Sequence, residues 1–254
     1  MNRALGLCAF KGVSSCDGGL SGEHYISRAV LDVIAPDGRI FVQGTPWAST
    51  PRLVASQALT ANILCRHHNS MLSDLDAEAG RFAAFLREAQ VDLARAASRS
   101  SVSIFNGRIF ERWLLKVLLG MWVSGNLASG GVKIVSPSNA DLGPILLGLK
   151  PMPSKWGLYV KPPETHFITS HEEFEIVPRS APDQVIKAGE FKICRLPFSL
   201  LLGTPGGDWG VRRPAAIILR KQANEHQARL TWGVCRASKP IIYDRVADAP
   251  PSVI

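Results

Sequence analysis

The 254-residue chain lacks any uninterrupted apolar run approaching the roughly 18–20 residues that a membrane-spanning helix requires, so no membrane partner is expected. Its first stretch, Met1 to Lys11, holds a cation and a short apolar run. No small-residue cleavage site follows before the polar stretch from Lys11, which predicts a cytoplasmic protein without an export signal. Cysteine is sparse and odd in number, at five. In a chain without an export signal, that count argues against a disulfide framework. Internal repeats are absent, which excludes a solenoid. What remains is 46% apolar and 20% charged, the composition of a globular protein with room for one large domain or two modest ones.

The net charge of +8 is unevenly placed. Residues 1–99 carry 10 Lys/Arg against 9 Asp/Glu, and residues 100–254 carry 19 against 12. A basic surface suits a polyanion such as nucleic acid, because neutralising phosphates releases counterions. Patterning also divides the chain. Residues 1–30 are rich in Gly, Ser and Cys, the composition of a metal-held loop. The turn signal Pro36-Asp-Gly38 precedes a strand at Arg39–Gln43. From about Ser70 to Ser98, Leu72, Leu75, Ala79, Phe82, Leu86, Ala89 and Leu93 recur at helical spacing, and Ser73 to Asp76 reads as a helix start. Phe110, Trp113, Leu114, Val117, Leu118 and Met121 predict a second helix over Ile109–Val123, ended by Gly125 and Asn126. Beyond Ser129, short β-rich runs alternate with Pro and Gly: Val132–Val135, Trp156–Val160, Phe174–Val177, Glu190–Arg195, Ala215–Arg220 and Arg229–Val234. The expectation is an α+β protein: a zinc-stabilised module with a long helix over 1–98, then a strand-dominated, mostly antiparallel domain over 99–254.

Chemistry-bearing residues concentrate in two segments. The first runs from Cys8 through Cys16 to Glu23-His24-Tyr25-Ile26-Ser27-Arg28. The second is Asn62-Ile63-Leu64-Cys65-Arg66-His67-His68-Asn69, continuing to Asp76. Zinc takes four tetrahedral ligands drawn from Cys and His. Cys65 and His68 are spaced so that one tight turn offers both to one ion, and Cys8 and Cys16 can supply the other two; His67 is the alternative to His68. Cys194 and Cys235 lie in apolar, strand-like contexts and read as small buried residues.

Together the two segments resemble the HNH (ββα-metal) endonuclease family, in a Cys-x-x-His-Asn variant with a structural zinc. The resemblance covers about the N-terminal third. It departs from the common pattern in the seven residues between Cys8 and Cys16, in Ser27 where a Pro is usual, in His68 where a Cys is frequent, and in Asn69 where the family's last His stands. The resemblance implies a ββα-metal fold and hydrolysis of nucleic-acid phosphodiester bonds, with DNA favoured, in restriction, mobile-element or phage-defence settings. It implies that His24 is the general base, that Asn62 braces the loop orienting it, and that Glu23 and Asn69 hold a catalytic Mg²⁺ or Mn²⁺. The oxygen-rich pair suits such a hard cation better than a second zinc.

Plainer readings stand beside these. Asn69 could cap a helix. Asp74 and Asp76 read as capping or solvated residues. Arg212-Arg213, Arg220-Lys221 and the run Glu111 to Lys116 suit a solvated face or local ion pairs as well as nucleic acid. His166, His171, Glu172 and Glu173 read as a surface loop. A second class of function is a non-catalytic, zinc-stabilised module that binds nucleic acid or protein, with a protein partner held through the C-terminal domain. Glu23, His24 and Asn69 discriminate: convergence on one accessible point favours the nuclease, and a buried or averted base favours the binding module.

Overall fold

The computed structural model describes residues 8–43, 45–95, 99–129, 132–133, 136–137, 142–162, 174–181, 185–204, 206–222, 224–233 and 237–244. Cys235, the group His166, His171, Glu172 and Glu173, and the C-terminal tail lie outside the described residues. No helix among those described is long and apolar enough to cross a membrane.

The N-terminal module runs β1 (Leu20–His24), α1 (Arg28–Ile34), β2 (Arg39–Val42), β3 (Arg52–Ala55), β4 (Thr60–Cys65), α2 (Arg66–Ser70) and α3 (Ser73–Ala94). Strands β1 and β4 pair antiparallel, with Leu20 opposite Cys65 and His24 opposite Thr60, and α2 leaves β4 directly. That is a ββα unit with α1 and the β2–β3 hairpin inserted between its strands. The predicted apolar stripe of α3 is buried as expected: Leu75, Ala79, Phe82, Leu86, Ala89 and Leu93 all face the interior. Ser73 lies inside the helix and gives its hydroxyl to the Ser70 carbonyl, so it does not cap α3.

The chain continues through β5 (Ser101–Asn106), α4 (Gly107–Val123), β6 (Ala128–Ser129), β7 (Val132–Lys133), β8 (Ser136–Pro137), α5 (Leu142–Leu146) and β9 (Gly157–Val160). It ends in β10 (Phe174–Ser180), β11 (Val185–Ile193), β12 (Leu196–Leu201), β13 (Val211–Arg212), β14 (Ala216–Lys221), β15 (Asn224–Thr231) and β16 (Ile241–Asp244). Asn106 caps α4, its side chain accepting from the N–H groups of Arg108 and Ile109. One sheet has the order β10-β11-β12-β9-β13, antiparallel along that path, with β8 parallel on β11. The other has the order β16-β14-β15-β5, in which the central pair is antiparallel and both outer pairs are parallel. The class is α+β with mostly antiparallel pairing.

One apolar cluster reaches from Cys8 to Tyr243. Its centre is aromatic: the Phe82 ring lies 4.4 Å from Phe110, 5.2 Å from Phe105 and 5.8 Å from Phe198. Those residues come from α3, α4, β5 and β12, so both halves of the chain share this core. Segment 25–29, immediately after His24, is held between two helices at glycine contacts. A Cβ on Gly80 of α3 would stand 2.6 Å from the Ala29 Cβ, and one on Gly120 of α4 would stand 2.7 Å from the Tyr25 Cβ.

Candidate metal centre

The turn from β4 into α2 places Cys65 and His68 side by side, because Cys65 sits at the helix N-cap with its sulfur accepting from the His68 N–H. Two backbone contacts bring in the other cysteines. The Ala9 N–H bonds the Ile63 carbonyl at 2.8 Å, which fixes Cys8 against β4. The Arg66 and His67 N–H groups bond the carbonyls of Gly19 and Asp17, which fold the Cys16 loop over the start of α2. The ligand atoms of Cys8, Cys16, Cys65 and His68 then lie within 4.8 Å of one another.

This cluster fits zinc. Tetrahedral bonds of about 2.3 Å to sulfur and about 2.0 Å to nitrogen imply S···N edges of roughly 3.5 Å. The observed distances from His68 Nδ1 are 3.4 Å to Cys8, 3.7 Å to Cys16 and 3.1 Å to Cys65. Ser14 Oγ lies 2.7 Å from His68 Nε2, which leaves Nδ1 to face the sulfurs and orients the ring, the outer-shell device common around metal-bound histidines. Burial raises the Cys65 thiol, but the backbone N–H groups of His68 and Asp17 and the neighbouring thiols outweigh it, so its pKa is lowered. Cys16 is pushed up to about 11 by burial and by the crowding of Cys8 and Cys65. Three sulfurs packed this closely repel one another as thiolates unless a cation lies among them. Of the two histidines left open by spacing, His68 lies in the cluster, whereas His67 is exposed and outside it.

The remaining expected site residues are placed separately. Glu23 is only 4% exposed, and its carboxylate forms an ion pair with Lys116 of α4. The Lys116 ammonium also bonds Asp76 Oδ1 at 2.6 Å, with the lysine side chain 3% exposed. Ser27 donates its hydroxyl to the same Asp76 oxygen and accepts from the Trp113 indole N–H at 2.6 Å. Asn69, meanwhile, donates to Ser21 Oγ at 3.1 Å. Glu23 and Asn69 are thus engaged apart from each other, with an ammonium at the carboxylate where a divalent ion was expected. They do not fit a Mg²⁺ or Mn²⁺ site. Burial raises the Glu23 pKa, and Lys116 only partly offsets this.

His24 is half-buried beside this network, and its pKa is lowered by burial first and then by Arg28 and Lys116. Asn62 is exposed on β4, with its Oδ1 3.8 Å from where a Gly22 Cβ would stand, over the irregularity in β1 that precedes Glu23. Asp76 is neither a cap nor fully solvated, contrary to expectation, since it takes Ser27 and Lys116. The run Glu111 to Lys116 is likewise no solvated face: Glu111 and Lys116 are buried, and Arg213 grips Glu111 with two bonds of 2.8 and 3.0 Å. Sequence reasoning passed over Ser14, Ser27, Trp113 and Lys116. A lysine inside the apolar stripe of α4 was the signal available, because a charge at a buried helical position requires a partner.

No family model matches the chain, and no curated protein or solved structure compared with it matches either.

Proposed function

We propose that the protein is an HNH-like hydrolase of nucleic-acid phosphodiester bonds, with DNA the favoured substrate and His24 the general base. One observation carries this reading. A zinc-shaped Cys₃His cluster closes the strand-to-helix turn of a ββα unit, and a histidine whose pKa is depressed stands on the partner strand. A depressed pKa keeps the imidazole neutral at pH 7, the state that can accept a proton from an attacking water. In this reading zinc holds the turn and has no open position for substrate, since four protein ligands fill its shell. Asn62 lies over the irregularity that sets the course of β1 into His24. Cationic side chains stabilise the developing phosphorane charge; Arg28, with its side chain 72% exposed and its charge felt at His24, is the nearest candidate.

The burial of Glu23 supports a second reading, a zinc-organised module that binds nucleic acid without cutting it. Plasmid and single-stranded substrates incubated with Mg²⁺, Mn²⁺ or chelator separate the two. The nuclease reading expects cleavage that falls by roughly two to four orders of magnitude in His24→Ala, with zinc content unchanged. Equal cleavage by both proteins removes His24 as the base. Binding without cleavage by either, steeply dependent on salt, favours the binding module.

A further inference from the structure

The insertion between β1 and β4 ends in a hairpin whose outer face is chemically unusual. In register, Arg39 lies opposite Ala55, Phe41 opposite Leu53 and Val42 opposite Arg52. Ile40 is buried, so its neighbours on β2 point away from the core. Phe41 is 69% exposed, the highest value among the large apolar side chains described, and Leu53 beside it is 40% exposed. Trp47 in the connecting loop is 38% exposed, with its indole N–H tied to Asn126 Oδ1 at 2.9 Å. From Arg39 to Ala55 the sequence holds two arginines, both exposed, and no Asp or Glu.

We infer that the outer face of the β2–β3 hairpin is a nucleic-acid contact surface, in which Phe41 stacks on a base while Arg39, two residues away on the same face, meets a phosphate; Arg52, opposite Val42, lies on the Ile40 side of the hairpin. A partner for this face must complement a cation and must cover a flat aromatic ring. Nucleic acid supplies both requirements, a polyanionic backbone and π-faces at every base. An apolar protein surface would leave Arg39 without a counter-charge. Position agrees with chemistry. The insertion leaves β1 directly after His24 and rejoins β4 at Thr60, the residue paired with His24. Its neck is closed by the Tyr25 N–H on the Leu59 carbonyl, and the Ser56 N–H on the Gly38 carbonyl braces the Arg39 end of the hairpin. The hairpin is thus rooted at the residues that flank the proposed base. The buried side, with Ile40 against the core, keeps the platform rigid.

The inference rests on the nucleic-acid reading above, and one experiment keeps the two distinguishable. Fluorescence anisotropy is measured with labelled single-stranded and duplex DNA oligonucleotides on the zinc-loaded full chain, in a His24→Ala background to prevent cleavage. Phe41→Ala should weaken single-strand binding roughly tenfold to a hundredfold without altering its salt slope, the scale of one lost stack. Arg39→Gln should reduce the slope of log K against log salt by about one, and Arg52→Gln, on the other face, should leave it unchanged. Normal affinity in Phe41→Ala together with a normal slope in Arg39→Gln would overturn the inference while leaving nucleic-acid binding intact. A concentration-dependent dimer that Phe41→Ala dissolves, with DNA affinity unchanged, would assign the face to a second copy of the chain instead. No binding by the parent protein would overturn both this inference and the reading on which it rests.

Discussion

Replacing Lys116 by methionine removes the ammonium that faces both Glu23 and Asp76 while retaining most of the aliphatic stem, so the change tests charge rather than volume. The side chains of Lys116 and Glu23 are 3% and 5% exposed, and Asp76 is more open at 28%. Asp76 can therefore recover water, whereas Glu23 is left as a buried carboxylate without a counter-charge. Stranding one partner of a buried pair costs about 3–5 kcal/mol, which is the expected loss in urea unfolding at pH 8. Adding Glu23→Gln to Lys116→Met should return most of that loss, because no buried charge is then left uncompensated. The pH dependence has a definite sign. The native pKa of Glu23 already lies above its usual 4.5 because burial outweighs Lys116. Without the lysine it rises further. A group whose folded pKa is raised gives up stability as pH climbs from its unfolded value through its folded one. The cost of Lys116→Met should therefore be smaller near pH 4.5, the usual value, than at pH 8. A single variant as stable as wild type, or a cost that does not change with pH, would refute the assignment of Lys116 as the counter-ion of Glu23.

Elemental analysis of protein purified without added metal should find close to one zinc per chain, and Cys65→Ser should lose it together with much of the thermal stability. Gly120→Ala should lower stability by about 1–3 kcal/mol, because the new methyl would stand 2.7 Å from the Tyr25 Cβ; calorimetry checks this. The depressed pKa of His24 in the free protein predicts that kcat/KM for any cleavage, measured with substrate well below KM, falls to half its plateau only below the usual value of 6.5. A half-plateau point above 6.5 would contradict the depressed value.

The Cys/His cluster was legible because its determinants are local. The Cys65–His68 spacing and the helix that follows are written in consecutive residues, and Cys8 and Cys16 had few competing thiols. The helices α3 and α4 were legible for a similar reason, since a stripe of apolar residues at helical spacing states its own burial. The burial of Glu23 was not legible: the residue stands on a strand and its partner on a helix far along the chain, and Glu-His beside a metal motif reads equally well as solvent-facing. The predicted strand over Glu190–Arg195 also misplaced a turn. Cys194 and Arg195 connect β11 to β12 with φ of +50° and +64°, a conformation usually signalled by Asn or Gly. Tertiary packing imposes it here, with Cys194 fully buried and its thiol pushed up to about 12 by that burial. The parallel pairing of β5 with β15 joins residues 101–106 to residues 226–231, a separation over which a single sequence carries no pairing signal. Helix α1, seven residues without a capping side chain, is likewise held by packing against α3 rather than by local propensity.

Helix α4 bears on whether the first third of the chain is portable. Its two interior charges serve different neighbours: Lys116 faces Glu23 and Asp76, while Glu111 takes Arg213 and the Leu158 N–H of β9. A gene fragment encoding only residues 1–98 would retain all four side chains of the Cys/His cluster yet lose the ammonium that pairs with Glu23 and the indole that donates to Ser27. Moving this segment alone into another protein would carry the candidate metal ligands and leave behind the contacts that hold the chain on either side of His24.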